Sequence, residues 1–338
     1  MQIIFCDADL RLREFFKGAK LPRGAKPLFC PESVQDLSSA EVKAARLAEV
    51  MSIFVYSRAT AEALARFPKL KFITTRATGY NNIDLAYCKK RGIAVANVAN
   101  YGATAVAEYA FGLLLDLARK ISFSNFKLRQ GRVDVAEDTG VDVAGKTVGV
   151  IGTGAIGSRF AKLARAFGCD VIAYDLYKNK ELEADGTLKY VEPDTLYRKS
   201  DFISLHCNET PKNRRMLDAK AFSKMKRGVY IINTARGGLI DTVALYGAVM
   251  EGRVAGAGLD VLDHENILIK NDIDLAVKKS EETLKYSLVN KMLAHLPNIV
   301  ITPHIAYNSR EAEERILEVT LANIKAFASG GEVRNLAA

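Results

Sequence analysis

Residues 147–175, TVGVIGTGAIGSRFAKLARAFGCDVIAYD, constrain the fold more than any other stretch of this chain. A β-branched run, Thr147 to Ile151, leads straight into Gly152-Thr153-Gly154-Ala155-Ile156-Gly157. An amphipathic helical pattern follows, then a second apolar run, Val171 to Tyr174, that ends on Asp175. Gly152 permits a tight turn out of a strand, Gly154 lets backbone approach a pyrophosphate, and Gly157 lets the helix pack closely on the sheet. The helix N-terminus adds unpaired N–H groups and a positive dipole end. Asp175 lies 18 residues past Gly157, at a strand tip where a carboxylate can accept hydrogen bonds from a ribose. A glycine turn that merely packs leaves that acid unexplained. The segment predicts a dinucleotide site.

The rest of the chain repeats the same alternation. Apolar runs at Ile3–Cys6, Ile53–Tyr56, Phe72–Thr74 and Ile93–Val95 are interleaved with candidate helices such as Thr60–Phe67 and Ile83–Arg91. A second series starts at Thr147, with strands near 147–151, 170–174, 201–205, 229–233, 256–260 and 299–302. This pattern predicts an α/β fold of two doubly wound parallel sheets joined near residues 100–103, and 338 residues suffice for a core in each. The helix Ala103–Ala118 is apolar round most of its circumference, as a helix wedged between domains or subunits would be. Glu108, Asp116 and its length rule it out as a membrane span. A last helix is expected from the capping-box spacing Asn308-Ser-Arg-Glu311 to just before Gly330-Gly331, and Asn271 to Lys291 reads as a charged surface insertion with helical segments at most.

Net charge is +9, but the basic residues are scattered in short groups such as Lys89-Lys90-Arg91 and Arg214-Arg215. They form no stripe with interleaved aromatics, so a nucleic-acid partner is not expected, while a mildly positive field favours an anionic substrate and cofactor. The five cysteines (6, 30, 88, 169, 207) form no CxxC pair and follow no secretory signal, which predicts reduced thiols and a cytoplasmic protein. The four His residues lack short-range ligand spacing, so no metal is expected.

Three segments concentrate unusual residues at strand ends: Asn233-Thr234-Ala235-Arg236-Gly237-Gly238, Gly258 to Glu265, and Thr302-Pro303-His304-Ile305-Ala306. Ligands of open α/β sheets bind beyond the carboxyl ends of strands, so all three could converge on a nicotinamide. At this point the chain resembles the D-isomer-specific 2-hydroxyacid dehydrogenases. The likeness rests on TTRATGYNNID, VAEYAFGLLL, GTGAIG, SDFISLH, MKRGVYIINTARGGLIDT, GAGLDV and NIVITPHIAYNS, in that order along nearly the whole chain.

The resemblance implies a flavodoxin-like and a Rossmann-like domain with the active site in the cleft. Residues 1–101 plus 303–338 would form the substrate domain and 102–302 the NAD-binding domain. It implies a catalytic trio of Arg236, Glu265 and His304. Protonated His304 would act as general acid, Glu265 would favour and orient the imidazolium, and Arg236 would grip the substrate carboxylate. Backbone N–H groups of Ala77, Thr78 and Gly79 would share in carboxylate capture. Tyr101 reads either as a substrate-facing phenol or as a hinge residue that only packs, and Tyr307 as a pocket-closing residue. For the cofactor the resemblance adds Ala155, Ile156, Cys207, Asn208, Asn213, Thr234, Ala235 and Asp260, the last as partner of the nicotinamide amide. Leu176 and Tyr177 bring no Arg beside Asp175, so NAD (NADH) is expected over NADP, with Lys178 and Lys180 the side chains that could reach a 2′-phosphate.

Two positions depart from the family pattern. Asn208 stands where Pro is usual after LHx, and Tyr109 stands where many members carry His. Glu265 and His304 are 39 residues apart, a spacing similar to that of the D-lactate dehydrogenase branch, and the 34 residues after His304 predict no regulatory domain. Pyruvate reduction to D-lactate is therefore expected first, glyoxylate, hydroxypyruvate or another 2-keto acid second, and an NAD(H)-sensing corepressor-like role third. The family and the apolar helix both point to a homodimer.

Overall fold

The computed structural model describes residues 1–99, 101–263, 280–333 and Leu336. The chain divides into two compact units, Met1–Tyr101 with Ser309–Ala338, and Gly102–Asn308. Each is built on one twisted parallel sheet.

In the first unit, β1 (Gln2–Phe5), β2 (Lys26–Phe29), β3 (Ala48–Ile53), β4 (Phe72–Thr75) and β5 (Ala94–Ala96) pair in the order β2-β1-β3-β4-β5. This is the flavodoxin-like order. β2 escaped notice in the sequence because it is a half-exposed edge strand carrying Pro27, a residue tolerated there and not in a central strand. β3 ends where a strand was expected to start: Ala48–Ile53 sits between β1 and β4, whereas Val55 and Tyr56 are 49% and 67% exposed. The last helix, Arg310–Ser329, joins this unit's core through Leu317 and Ile324, which cluster with Ile3, Phe5, Val50 and Phe72. Phe327 stacks on Phe72 with ring centroids 4.7 Å apart. Its cap is Ser309, whose hydroxyl accepts from Ala312 N at 3.2 Å, one residue beyond the expected Asn308.

The second unit's sheet contains β6 (Thr147–Ile151), β7 (Asp170–Tyr174), β8 (Lys189–Tyr190), β9 (Phe202–Leu205), β10 (Val229–Asn233), β11 (Val254–Leu259) and β12 (Ile299–Ile301). Their order, β12-β11-β10-β9-β6-β7-β8, is the Rossmann arrangement, reversing direction between β6 and β9. The two-residue β8 is too short to give a sequence period. The helix Ala103–Arg119 is buried by its own unit. Leu113 and Leu117 lie over Gly258 and Gly256 of β11, and Phe111 meets Phe160 edge-on at 5.9 Å. Its apolar residues from Ala107 to Ala118 belong to this unit's core.

Two boundaries differ from the sequence reading. Residues 281–291 of the expected surface insertion belong to the helix Glu281–Ala294, which buries Tyr286 and Leu293, while residues 271–279 lie outside the described residues. Its buried face is partly polar, with Thr283, Ser287 and Asn290, and this hid the helix from an apolar-period search. Residues 303–308 stay with the second unit because the Asp260 carboxylate holds the N–H groups of Ile305 and Ala306, at 2.9 Å each. Among the described residues no helix is long and apolar enough to cross a membrane. All five cysteines are free thiols.

The Phe72–Phe327 stack ties the C-terminal helix to the first sheet. Phe72→Ala should cost about 3–5 kcal/mol in that unit's unfolding free energy, as expected for a fully buried Phe. Denaturant unfolding checks this, and a loss below about 1 kcal/mol would show that the helix is held otherwise.

Candidate active site

The strand order reverses between β6 and β9, and the loops leaving these two strands carry the first half of the site. Gly152 adopts φ +93°, a left-handed conformation open to glycine, and a side chain there would strike the Cys207 backbone. A Cβ on Gly157 would overlap the Gly152 carbonyl oxygen, so this glycine is required for helix and strand to meet. Gly154 differs: a Cβ there would meet nothing within 4 Å. It heads the helix Ala155–Ala166, whose N-terminus has no side-chain cap among the described residues. Beside Gly154 the N–H groups at Ala155 and Ile156 thus face an open cradle of the kind an anion fills.

Asp175, at the end of β7, does more than the sequence suggested. Its Oδ2 accepts from Thr153 N (2.5 Å) and Thr153 Oγ1 (3.0 Å), and its Oδ1 accepts from Tyr177 N (2.9 Å). Leu176 and Tyr177 are 80% and 87% exposed. Lys178 lays its ammonium over the Tyr190 ring, 5.7 Å from the centroid.

After β9, the Asn213 side chain closes the loop. Its Nδ2 donates to Asn208 O (2.8 Å) and its Oδ1 accepts from Thr210 N (2.6 Å). This amide clasp does the shaping that a Pro at Asn208 would otherwise do. Cys207 is half-buried, and burial pushes its thiol up to about 11, so it is a neutral wall residue at physiological pH. His206 closes the SDFISLH segment. Its Nε2 bonds Ser204 Oγ at 2.9 Å, while its Nδ1 is buried without a partner. Desolvation pushes the ring down to about 3, so it stays neutral. The signal for it was its place at a strand's carboxyl end.

The second half of the site comes from the ends of β10, β11 and β12. Asn233 is buried; its Oδ1 accepts from Ala235 N (3.0 Å) and its Nδ2 donates to Arg236 O (2.9 Å). The turn this creates exposes the Arg236 side chain, whose Nη1 donates to Ala235 O at 2.6 Å. Gly237 follows because the carbonyl of Leu262 occupies the space of any Cβ. Thr234 is buried, with its hydroxyl unpartnered. Asp260 is 2% exposed, and its carboxylate accepts from Thr302 Oγ1 (2.6 Å), Ile305 N (2.9 Å) and Ala306 N (2.9 Å). Between those partners stands His304, exposed, with φ +57°. Its own N–H is shared by Asp260 O and Thr302 O, at 3.0 Å each. Glu265 lies outside the described residues. Tyr307 belongs to this unit and leaves its Cβ 3.3 Å from where a side chain of Gly102 would begin. Tyr109, at the other departure from the family pattern, packs half-buried against this unit's core.

In the first unit the loop after β4 carries Ala77, Thr78 and Gly79. Asn97 Nδ2 donates to Thr78 O (2.6 Å) and Thr78 Oγ1 to Val98 O (3.1 Å), while the Thr78 and Gly79 N–H groups donate to no described acceptor. Beneath it is Arg76, which sequence reading passed over. Its guanidinium is buried, donating to Ser52 Oγ (2.9 Å), Cys6 O (2.8 Å) and Asp7 O (2.9 Å). Burial lowers it to about 10, so it stays charged at neutral pH and braces the ends of β1, β3 and β4. Tyr101 gives its carbonyl to Arg315 Nε at 2.8 Å. Among the described residues no group of three His, Cys, Asp or Glu side chains is arranged for a metal ion.

The open cradle at Gly154, the uncapped helix N-terminus and the orphaned Thr234 hydroxyl and His206 Nδ1 fit a nucleotide carrying phosphates and polar ring substituents. The D-isomer specific 2-hydroxyacid dehydrogenase NAD binding domain matches residues 111–306. The chain belongs to the D-isomer specific 2-hydroxyacid dehydrogenases. A 2-hydroxyacid dehydrogenase homolog of Schizosaccharomyces pombe is 41% identical over 84% of both chains. Hydroxypyruvate reductase of Thermotoga maritima is 38% identical over 79% of this chain and 81% of its own length. The D-lactate dehydrogenase of Aquifex aeolicus, solved with NAD and lactic acid, superposes with TM-score 0.83 at 35% identity, covering 99% of this chain and 98% of that one. Like the rest of its family, this dehydrogenase is an NAD-dependent oxidoreductase.

Gly154 and Gly157 should separate binding from folding. Gly154→Ala should leave the dehydrogenase within about 1 kcal/mol of wild-type stability and weaken NADH binding roughly tenfold or more, because the methyl enters the cradle. Gly157→Ala should lose stability outright. Thermal melts and NADH fluorescence titration test both; normal NADH affinity in Gly154→Ala would place the phosphates elsewhere.

Proposed function

We propose that this dehydrogenase reduces pyruvate to D-lactate. The observation that carries the reading is its likeness, over 99% of the chain, to a D-lactate dehydrogenase solved with lactic acid. The 39-residue interval from Glu265 to His304 supports the same branch. Its similarity to a hydroxypyruvate reductase supports a second reading, in which hydroxypyruvate or glyoxylate is the preferred acid. One methylene in a pocket is worth about 1–3 kcal/mol, so substrate ranges overlap.

When bound, NADH would provide the hydride that reduces the carbonyl carbon of the keto acid. Arg236 presents a fork of donors, suited to a planar carboxylate, and it makes no ion pair with a described residue. In the first unit, the N–H groups of Ala77, Thr78 and Gly79, which donate to no described acceptor, are suited to carboxylate capture. His304 donates the proton that the carbonyl oxygen takes up, and in the oxidation direction its neutral ring accepts the proton back. By the family resemblance, Glu265 would be the carboxylate that favours the protonated ring. Asp260 has a second duty besides any contact to the nicotinamide amide: its three hydrogen bonds hold the His304 turn. On the cofactor side, Ala155 and Ile156 would hold the pyrophosphate, Asp175 the adenosine ribose, and Cys207, Asn208, Asn213, Thr234 and Ala235 the nicotinamide end. By the family resemblance, Tyr101 and Tyr307 would be the phenols nearest the substrate.

His304→Gln should lower reduction by at least about a thousandfold with NADH affinity nearly intact, as when a group acts on the chemical step. A panel of keto acids, with product chirality determined, ranks the substrates. The reading is wrong if the product is the L-isomer or pyruvate ranks below hydroxypyruvate.

We also propose a homodimer working in the reducing cytoplasm, in keeping with the five thiols. Ile121, Phe126, Leu128, Val133 and Val135 are 57–80% exposed on one stretch of the second unit. Beside them a groove of about 760 Å³ is lined by Leu117, Phe123, Phe126, Leu296, Pro297 and Ile299. A second copy would cover this apolar surface. Sedimentation should give twice the monomer mass, reduced by Leu128→Asp; a wild-type monomer at micromolar concentration contradicts it.

A further inference from the structure

Tyr190, the last residue of β8, is 8% exposed, yet its hydroxyl sits in a polar chain at the edge of the nucleotide site. Its Oη accepts from Asn179 N at 2.7 Å and lies 2.8 Å from Thr153 Oγ1. Thr153 Oγ1 is in turn 3.0 Å from Asp175 Oδ2. Proton direction follows from the two ends. A backbone N–H can only donate and a carboxylate can only accept. If Thr153 gave its proton to Tyr190, two lone-pair-bearing oxygens would face each other at Asp175. The consistent order runs from Asn179 N–H to Tyr190 O–H, to Thr153 O–H, to the Asp175 carboxylate.

This order has a consequence for the acid. Oδ2 takes two donors from Thr153 and Oδ1 takes one from Tyr177. Of about four acceptor sites on a carboxylate, one remains, on Oδ1. The carboxylate is locked in rotation with that single free site directed away from Thr153. We propose that Tyr190 is a positioning residue for cofactor choice: through Thr153 its hydroxyl holds Asp175 in the rotamer that accepts from a ribose hydroxyl and repels a 2′-phosphate. The inference rests on the reading of Asp175 as the ribose-binding acid. The ring of Tyr190 has a separate task, holding Lys178 over its face, and a Phe at this position would keep that contact while losing the relay. Lys178, three residues past Asp175, is thereby held over Tyr190, so the two charges that could meet the 2′ position are both tied to this ring.

The test uses the whole enzyme, with NADH and NADPH as probes. Tyr190→Phe should weaken NADH binding about tenfold, the size expected for loosening one hydrogen bond to a charged group. It should weaken NADPH binding less or not at all, so the NADH-to-NADPH preference falls by about that factor. Thr153→Val should give the same shift and Thr153→Ser, which keeps the hydroxyl, should restore the wild-type ratio. In an Asp175→Asn background, Tyr190→Phe should change the ratio less than twofold, because residues acting through one another are non-additive. If Tyr190 were merely structural, the variant would lose melting temperature and both cofactors alike, and an unmoved ratio overturns the proposal. If Asp175→Asn itself leaves the ratio unmoved, the ribose reading falls and the inference with it. If Asp175→Asn moves it and Tyr190→Phe does not, only the inference falls.

Discussion

A single buried carboxylate organises the chemistry of the second unit. Asp260 is nearly inaccessible, and burying a charge is costly unless hydrogen bonds replace water. Here they do: Thr302 Oγ1, Ile305 N and Ala306 N all point at it, and its own N–H donates to Asn233 O at 2.9 Å. These contacts tie the ends of β10, β11 and β12 together. They also hold His304 at φ +57°, a conformation that costs a residue with a side chain of order 1–3 kcal/mol unless its surroundings enforce it. Asn233 does the corresponding work for Arg236 by bonding the backbone on both sides of it. The proposed proton donor and carboxylate clamp are thus both set by buried polar residues just behind them.

The nucleotide half follows the same logic with different parts. Gly157 lets the helix approach β6, Gly152 turns the chain, and Gly154 leaves open space at the helix N-terminus. Asp175 stitches the tip of β7 back to the glycine loop through Thr153, so the residue proposed to meet the ribose also stabilises the turn that cradles the phosphates. In the first unit, Arg76 is fixed by three oxygens, and its buried charge props the loop whose N–H groups stay available. Each ligand-facing group rests on a buried one.

Much of this was legible in the amino-acid order because the demands of a dinucleotide fold are local. The strand–glycine–helix–strand–acid segment is contiguous, and the six long strands of the second sheet show as apolar runs. What escaped was non-local or polar. β2 and β8 are an edge strand with a proline and a two-residue strand, neither with a period to detect. The helix Glu281–Ala294 buries hydroxyls and an amide. The Asp260 clamp joins residues more than forty apart, so the sequence could mark Asp260 as a candidate contact without showing that it holds the histidine turn. Arg76 and His206 lie inside recognisable motifs, but their duties depend on neighbours brought by folding. Glu265 was named from resemblance alone.

The dependence of His304 on Asp260 is open to one direct measurement. Asp260→Asn keeps the shape of the side chain but replaces one acceptor oxygen with a donor NH2, which faces the N–H groups of the 304–306 turn. Steady-state reduction of pyruvate by this variant, with a thermal melt to show that it is folded, tests the claim. The account predicts a folded protein whose kcat/KM falls by about a hundredfold or more, the scale on which misplacing a reacting group acts. A folded Asp260→Asn enzyme with wild-type turnover would contradict it.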